Sequence, residues 1–481
     1  MTKGTDAFGA PGLISSDIAP TYEQQRTLNA ARERVLWLGL ALGAVNVSTG
    51  RYLGESIWSV AARGIAVVLV TVAVGLLFTG SATRFGVGSG PLSRSAFGAR
   101  AAMLVHLLRW GVGLAWTATH LQPFAEWLGL LVQATAVWGA PQVGLEWTAT
   151  PELTGYGTLA VLGVALGWVA RGRVRRSRLT ARVLIALGGA AFVVLFAALV
   201  ISRSWMLAAS RPFSPHVLLD QVGAALIDAL MLVWAVPEWV RYRERYADNR
   251  PPWRWLIGAS IAVPVLLVGL AAVSQSARGH SDASLIGDAA GAFGLAFGWL
   301  GATVALALTF AVLPLFGVLT AALALCSAIP RWRYPYVAYA TAFLAAGLAG
   351  FATIPSWVFA LCLPPLAAIA IDEWLIRRRL VVLDLLYTYG STRLSASLAT
   401  LTGCGLIVFD HEHLVASAAG GMLVAMIGTA LPLLGKLGGL RLPKRKAKAR
   451  GKGPDDWADR PVIDPTWSAD DTTHVGKPDE R

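Results

Sequence analysis

The sequence predicts an all-α integral membrane protein with about 12 transmembrane helices, and three observations carry that expectation. Of 481 residues, 55% are hydrophobic and 14% charged, against about 45–50% and about 25% in ordinary soluble proteins. The mean hydropathy is +0.57, and the apolar residues fall in repeated blocks separated by short arginine-rich breaks. The arginines also alternate in number from one break to the next, as they do when successive loops lie on opposite sides of a bilayer.

The blocks fall near 35–52, 56–80, 101–131, 153–170, 183–203, 216–240, 255–275, 288–328, 335–352, 356–376, 395–409 and 413–435. The 288–328 block is long enough for a tilted or broken helix, or for two. Residues 1–34 are polar and mixed in charge, with no cleavable signal pattern, so the run from Val35 reads as an uncleaved first span. Residues 35–435 form the transmembrane domain. The tail, 436–481, opens on a basic run at 444–452 and then turns acidic and polar; it cannot bury enough apolar surface to fold alone and is expected to be disordered.

Every even-numbered span exits onto arginines. They are Arg84, Arg94 and Arg100; Arg171, Arg173, Arg175, Arg176 and Arg178; Arg241, Arg243, Arg245 and Arg250; Arg331 and Arg333; and Arg377, Arg378 and Arg379. Odd-numbered exits carry only Arg51, Arg203, Arg211 and Arg278, and the 132–152 loop has no arginine. Both termini are thus expected in the cytoplasm of a multi-pass plasma-membrane protein. The net charge of +13 then reports topology and contact with the lipid bilayer, not a nucleic-acid partner. Cys326, Cys362 and Cys404 are far apart and show no CxxC or metal-ligand spacing, so they read as reduced structural thiols. No GxSxG, HExxH, Walker loop or metal-ligand cluster is present; neither enzyme chemistry, a cofactor nor a metal is signalled.

Ionisable groups inside a span usually face the bundle interior or an aqueous path. In the third block His106, Arg109, Gly113, Trp116 and His120 recur at three- and four-residue steps, which places them on one stripe of a helix. Trp116 and His120 offer a flat ring to stack on a planar solute and a hydrogen-bonding group to read its edge. The alternative is an interhelical hydrogen bond with a packed indole. In the sixth block Asp228 lies near mid-span, where burial favours the neutral acid unless a cation or several donors stabilise the charge. Asp228 suits proton uptake and release or binding of a substrate N–H; the alternative is a static pair with His120 or Arg109. Pro237 interrupts the same block and should break or kink the helix, a device by which secondary transporters build sites from discontinuous helices. In the first block Gly39, Gly43 and Asn46 permit unwinding or close packing.

Four stretches resemble the nucleobase:cation symporter family, the purine-cytosine permease and hydantoin transporter group. The segment ATRFGVGSGPLSRSAFGARAAMLVHLLRWGVGLAWTATH is similar to that family's RxG…FG.RG-like loop and the helix after it, which carries a substrate-stacking tryptophan. PEWVRYRERY is similar to its proline–acid–aromatic end of helix 6, PPLAAIAIDEWLIRRRLVVLDLLY to the end of its helix 10, and LCSAIPRW to the close of its helix 8. The resemblance implies a five-plus-five inverted repeat of the leucine-transporter type with two extra C-terminal helices. It implies a permease for a small planar nitrogen-rich solute, namely a nucleobase, a hydantoin or an allantoin-like compound.

Carried over residue by residue, the resemblance puts Trp116 on the stacking tryptophan and His120 on a glutamine that bonds the ring. Asp228 and Ala229 fall where the family supplies a backbone contact and a second aromatic, so one wall of the usual sandwich is lost. Gly43 and Gly317 stand where it has a glutamine and a substrate-reading asparagine. Ala311 and Val312 replace sodium-binding hydroxyls, so the resemblance favours proton coupling or no coupling over sodium, and Asp228, by its own mid-span position, is the candidate coupling group. Two other readings stay open beside it: a membrane-embedded enzyme on lipid-linked substrates, and a transport-inactive sensor that kept the fold.

Overall fold

The computed structural model describes Glu33, Trp37 and residues 57–79, 82–83, 86–98, 100–121, 151–171, 215–243, 312–329, 332–351, 354–376 and 393–437. Among these residues the protein is helical, with no β-strand. The elements are α1 (Ile57–Leu77), α2 (Ser89–Phe97), α3 (Arg100–Leu121), α4 (Pro151–Arg171), α5 (Pro215–Leu230), α6 (Val236–Val240), α7 (Val312–Ala328), α8 (Tyr334–Phe351), α9 (Trp357–Ala360), α10 (Leu363–Ile371), α11 (Leu394–Phe409) and α12 (Leu414–Leu437). Four described stretches are long and apolar enough to cross a bilayer: Arg100–Leu121, Val222–Val240, Trp357–Leu375 and His411–Leu431. The fifth and seventh blocks, nearly all of the first and the first half of the eighth lie outside the described residues, as do the segments 1–32 and 438–481.

The sixth block is discontinuous. α5 gives way at Met231–Ala235 to a 3-10 turn that leads into α6. Pro237 has no N–H for the carbonyl four residues back and its ring crowds that group. The Val236 N–H bonds the Val233 carbonyl instead, tightening the turn just ahead of the proline. The tenth block is broken by the same residue type. Pro364 follows the first residue of α10, and α9 is closed off by i→i−3 bonds from Leu361 to Val358 and from Cys362 to Phe359. A π-helical turn, Asp372–Ile376, ends that span.

Two apolar cores hold the helices. Around α1, α3, α5, α6 and α10 the larger core contains Trp116, Trp234, Trp239, Phe316 and Phe359. The smaller one packs α4, α7 and α8 against α3 through Leu121, Leu315, Leu319, Tyr334 and Ala342. Tyr334 also donates its hydroxyl proton to the Ala170 carbonyl at 2.9 Å. Outward positions such as Leu104, Val161, Tyr336, Leu401, Phe409 and Leu423 are exposed, an apolar exterior suited to lipid.

Between α1 and α3 the chain departs from a simple charged loop. Residues Ser89–Phe97 form a short helix, and every one of them is buried, Arg94 included. Gly86 and Gly98, at φ 65° and 77°, bracket it; side chains rarely adopt that left-handed backbone, which explains the two Phe–Gly pairs of the loop. The span-end pattern assigns Arg94 to topology alone, whereas its guanidinium donates to the Ser327 carbonyl of α7 at 3.1 Å. An arginine at a span end is read as solvated by default, and nothing local to Arg94 reveals that its segment folds inward.

Candidate functional site in the membrane core

Trp116 is 2% exposed on α3, and its indole N–H donates to the main-chain carbonyl of Asp228 at 3.2 Å. That carbonyl belongs to the last turn of α5, just before the 3-10 segment. His120, one turn further along α3, stands edge-on to the indole with ring centroids 4.4 Å apart. Asp228 is 3% exposed, and Ala229 beside it is fully buried. Gly317 of α7 completes the cluster from the opposite helix. A Cβ there would collide with the Thr117 hydroxyl and come within 3.1 Å of the Trp116 ring.

The structure thus brings Trp116, His120, Asp228, Ala229 and Gly317 together from three helices. Gly43 lies outside the described residues. The bareness of Gly317 has an immediate packing cause, since α3 and α7 approach too closely for any side chain at that point. Gly113 belongs to the same seam, where a Cβ would sit 3.0 Å from the Ala321 Cβ. Asp228 is tied to α3 through its main chain, and Arg109 is engaged elsewhere.

Arg109 serves a second polar cluster, at the ends of the even-numbered spans. Its guanidinium lies over the Trp234 ring, 4.5 Å from the centroid. It donates to the Ser89 hydroxyl and stands 4.0 Å from the Glu238 carboxylate. Glu238 accepts from the Ser89 backbone N–H at 2.9 Å and from the Ser89 hydroxyl. A carboxylate from α6 therefore caps the N-terminus of α2, where unpaired N–H groups and the helix dipole favour negative charge. Ser93 meets the His106 ring nitrogen at 2.8 Å. Ser95 donates to Asp372 at 2.7 Å, and Asp372 pairs with Arg393 at 2.6 Å. The Arg393 backbone N–H closes the C-terminal end of α2 on Phe97 at 2.8 Å.

α2 is thus bolted to α3, α6, α7, the turn after α10 and the start of α11, on the face that the arginine pattern predicts to be cytoplasmic. The start of the first block joins the same region. Glu33 pairs with Arg243 at 3.1 Å and accepts from the Trp37 indole at 3.1 Å. Trp37 packs edge-on against Trp239, centroids 6.3 Å apart. Trp239 in turn lies 5.3 Å from Phe316, the neighbour of Gly317, so the two clusters share one wall.

Reading charge at span ends misses Ser89, Ser95 and Asp372, whose partners are remote in sequence. It also misses Arg63, fully buried in α1. The signal for Arg63 is present, a lone cation within an apolar block. Among the described residues, no group of three or more His, Cys, Asp and Glu is placed to hold a metal ion.

No protein-family model matches the chain. In sequence it is 29% identical over 146 residues to the purine-uracil permease NCS1 of Arabidopsis thaliana, covering 30% of this chain and 24% of that protein; the match spans about a quarter of that relative's length. In fold it is similar to Mhp1, a nucleobase-cation-symport-1 family transporter, in a closed conformation with bromovinylhydantoin bound. There the TM-score is 0.69 at 16% identity, over 88% of this chain and 96% of that one. Against the inward-facing conformation of Mhp1 the TM-score is 0.61 at 17% identity, over 88% and 95%.

The fold is similar to that of Mhp1, a transporter, and the described residues include four helices long and apolar enough to cross a membrane. The two likenesses, to the purine-uracil permease NCS1 and to Mhp1, fall with the family that the four sequence stretches resemble. The proteins it resembles are transporters, not enzymes.

Proposed function

We propose that this chain is a permease that moves a small, planar, nitrogen-rich solute across the plasma membrane by alternating access. The solute class is a nucleobase, a hydantoin or an allantoin-like ureide. The meeting of Trp116, His120 and Asp228 at the break between α5 and α6 carries this reading. It combines one aromatic face, one ring nitrogen edge and one acid in a desolvated place, with a helix interruption that allows the parts to move. Mhp1 with a bound hydantoin lends the solute class by its fold, and the purine-uracil permease lends it by sequence.

In this reading the chain has twelve spans as a five-plus-five inverted repeat with two extra C-terminal helices, and cytoplasmic termini. Gly43, Gly317 and Ala229 line the site by their smallness. Asp228 is the group placed to couple transport to protons. Sodium is not the driver. Ala311 and Val312 bring no hydroxyl, and the described hydroxyls of α7 serve their own helix, Thr320 donating to the Phe316 carbonyl at 2.9 Å and Ser327 to that of Leu323 at 2.8 Å. Hard cations demand oxygen ligands.

The test is uptake of a radiolabelled panel of purines, pyrimidines, hydantoin and allantoin into proteoliposomes. Accumulation of at least one such solute under an imposed pH gradient, or equilibration without one, is expected. A steep rise with a sodium gradient at fixed pH overturns the coupling, and no uptake of any member overturns the permease. If Asp228 is the coupling group, Asp228→Asn retains exchange across the membrane and loses accumulation driven by the pH gradient.

A further inference from the structure

Resting on that reading, we infer that Glu238 and Ser89 form a latch, closed while the chain is shut toward the cytoplasm and parted, together with the Arg109–Trp234 stack, when it opens there. The position of the cluster is one reason. Arg109 stands two turns before Trp116 on α3, about 10 Å along the axis, and Trp234 and Glu238 follow Asp228 on the sixth block. A solute that leaves Trp116 between these two spans, toward the face rich in arginine, meets the Arg109–Trp234 stack and then the Ser89–Glu238 contact. That seam is shut, since the crevice bordered by Phe78, Ser89, Val233, Trp234, Pro237 and Leu366 has no room for a water molecule.

The other reason is that the two ends of α2 are held unequally. At the C-terminal end both Asp372 oxygens are used, one by the Ser95 hydroxyl at 2.7 Å and one by Arg393 at 2.6 Å. The N-terminal end closes less completely. Arg109 reaches the Trp234 carbonyl only at 3.5 Å and the Glu238 carboxylate at 4.0 Å, and the buried Arg109 Nε–H and Trp234 indole N–H have no acceptor among the described residues. Bare donors are a standing cost in a permanent joint, whereas water takes them up in a joint that opens. The 3-10 turn at Met231–Ala235 and Pro237 place a hinge between Asp228 and Glu238. α2 keeps its seat on the far side of the seam, through Ser93 on His106 at 2.8 Å and Arg94 on the Ser327 carbonyl at 3.1 Å. The parting line therefore runs between Trp234 with Glu238 on one side and α2, α3 and α7 on the other. Opening differs from deleting Glu238, because it hydrates Ser89, Arg109 and Glu238 together and strands none of them.

The experiment begins with hydrogen exchange of the wild-type full chain in nanodiscs, comparing two backbone amides after correction for their intrinsic rates. The Ser89 N–H is held by Glu238 at 2.9 Å and the Arg393 N–H by the Phe97 carbonyl at 2.8 Å, so a joint fixed at both ends protects them alike. The latch predicts exchange at Ser89 at least about tenfold faster than at Arg393. Ser89→Cys with Glu238→Cys, joined in proteoliposomes by a short cross-linker that a reductant cleaves, then tests whether the parting is needed for transport. Cross-linking should abolish uptake of whichever purine, pyrimidine, hydantoin or allantoin the untreated variant carries, and reduction should restore it, while the same reagent leaves the wild type, with its three native thiols, active. Equal protection of the two amides overturns the inference, and so does uptake that persists in fully cross-linked protein. If the double variant does not fold, the exchange comparison on the wild type decides. If the wild type takes up no member of the panel, the permease reading falls and the exchange comparison still decides the latch.

Discussion

Glu238 and Asp228 are two buried acids on one interrupted span, and each ties that span to a different part of the molecule. Glu238 is fixed through its side chain, which accepts from the Ser89 N–H and hydroxyl and faces Arg109. Asp228 is anchored through its main chain, by the Trp116 indole. The first arrangement is a structural bolt. Its parts come from three segments, and each compensates a polar group that would otherwise be stranded away from water. The second ties a helix break to an aromatic ring. Breaking the bolt should cost stability, and breaking the site should cost recognition.

The largest effect is expected at the bolt. Glu238→Ala leaves the first N–H of α2 without its acceptor and the Arg109 guanidinium without its facing carboxylate. Removing one partner of a buried pair typically costs about 3–5 kcal/mol. A drop of several degrees in the unfolding temperature of the purified protein is expected, together with lower yield. An unchanged midpoint would show that Ser89 and Arg109 are satisfied without Glu238. The double variant Glu238→Leu with Arg109→Met should recover part of the loss, because a charge pair replaced by apolar groups can be nearly neutral.

This asymmetry also explains what was legible in the sequence. The helical class follows from composition and from blocks whose length matches a bilayer, and the described parts of the blocks are helical, the sixth and tenth with breaks. Trp116, His120 and Asp228 are legible because polar and aromatic groups inside an apolar block must have a reason to be there. The bolt was legible only as separate fragments. The two Phe–Gly pairs and the Pro–Glu pair are sequence features of the loop and of the sixth block, but that the carboxylate of one caps the helix of the other is a tertiary fact. Arg94 shows the limit plainly, since charge at a span end predicts a solvated loop and the structure buries it.

A smaller effect is expected where the bolt meets α7. At Gly90 an added Cβ would collide with the Ser327 hydroxyl and lie 2.9 Å from the Ser327 Cβ, so Gly90→Ala must push α2 off its seat. Overpacking of this kind costs about 1–3 kcal/mol. The loss should be relieved by Ser327→Gly in the same chain, which removes both atoms. Failure of that rescue in thermal unfolding would place the strain elsewhere in the 86–98 segment.

The smallest effect on stability is expected of Trp116→Phe, and the sharpest effect on binding falls at the same residue, whereas Trp116→Ala also empties a buried volume at about 3–5 kcal/mol. Trp116→Ala removes a stacking face worth about 0.5–1.5 kcal/mol beyond its lost area, and with it the bond to the Asp228 carbonyl. Trp116→Phe separates the two roles, because it keeps a flat ring and deletes the N–H. A neutral hydrogen bond contributes about 0.5–1.5 kcal/mol net, so this variant should unfold within a few degrees of the wild type. If the indole only stacks, Trp116→Phe should bind solute nearly as well as the wild type, and only Trp116→Ala should fail. If the indole also sets the position of the α5 terminus, Trp116→Phe should lose affinity for solutes that engage Asp228 while retaining it for those that engage only the ring. Measuring both variants against the same panel of purines, pyrimidines, hydantoin and allantoin therefore tells whether Trp116 and Asp228 act as one unit, and equal affinities across wild type and both variants would remove Trp116 from the site.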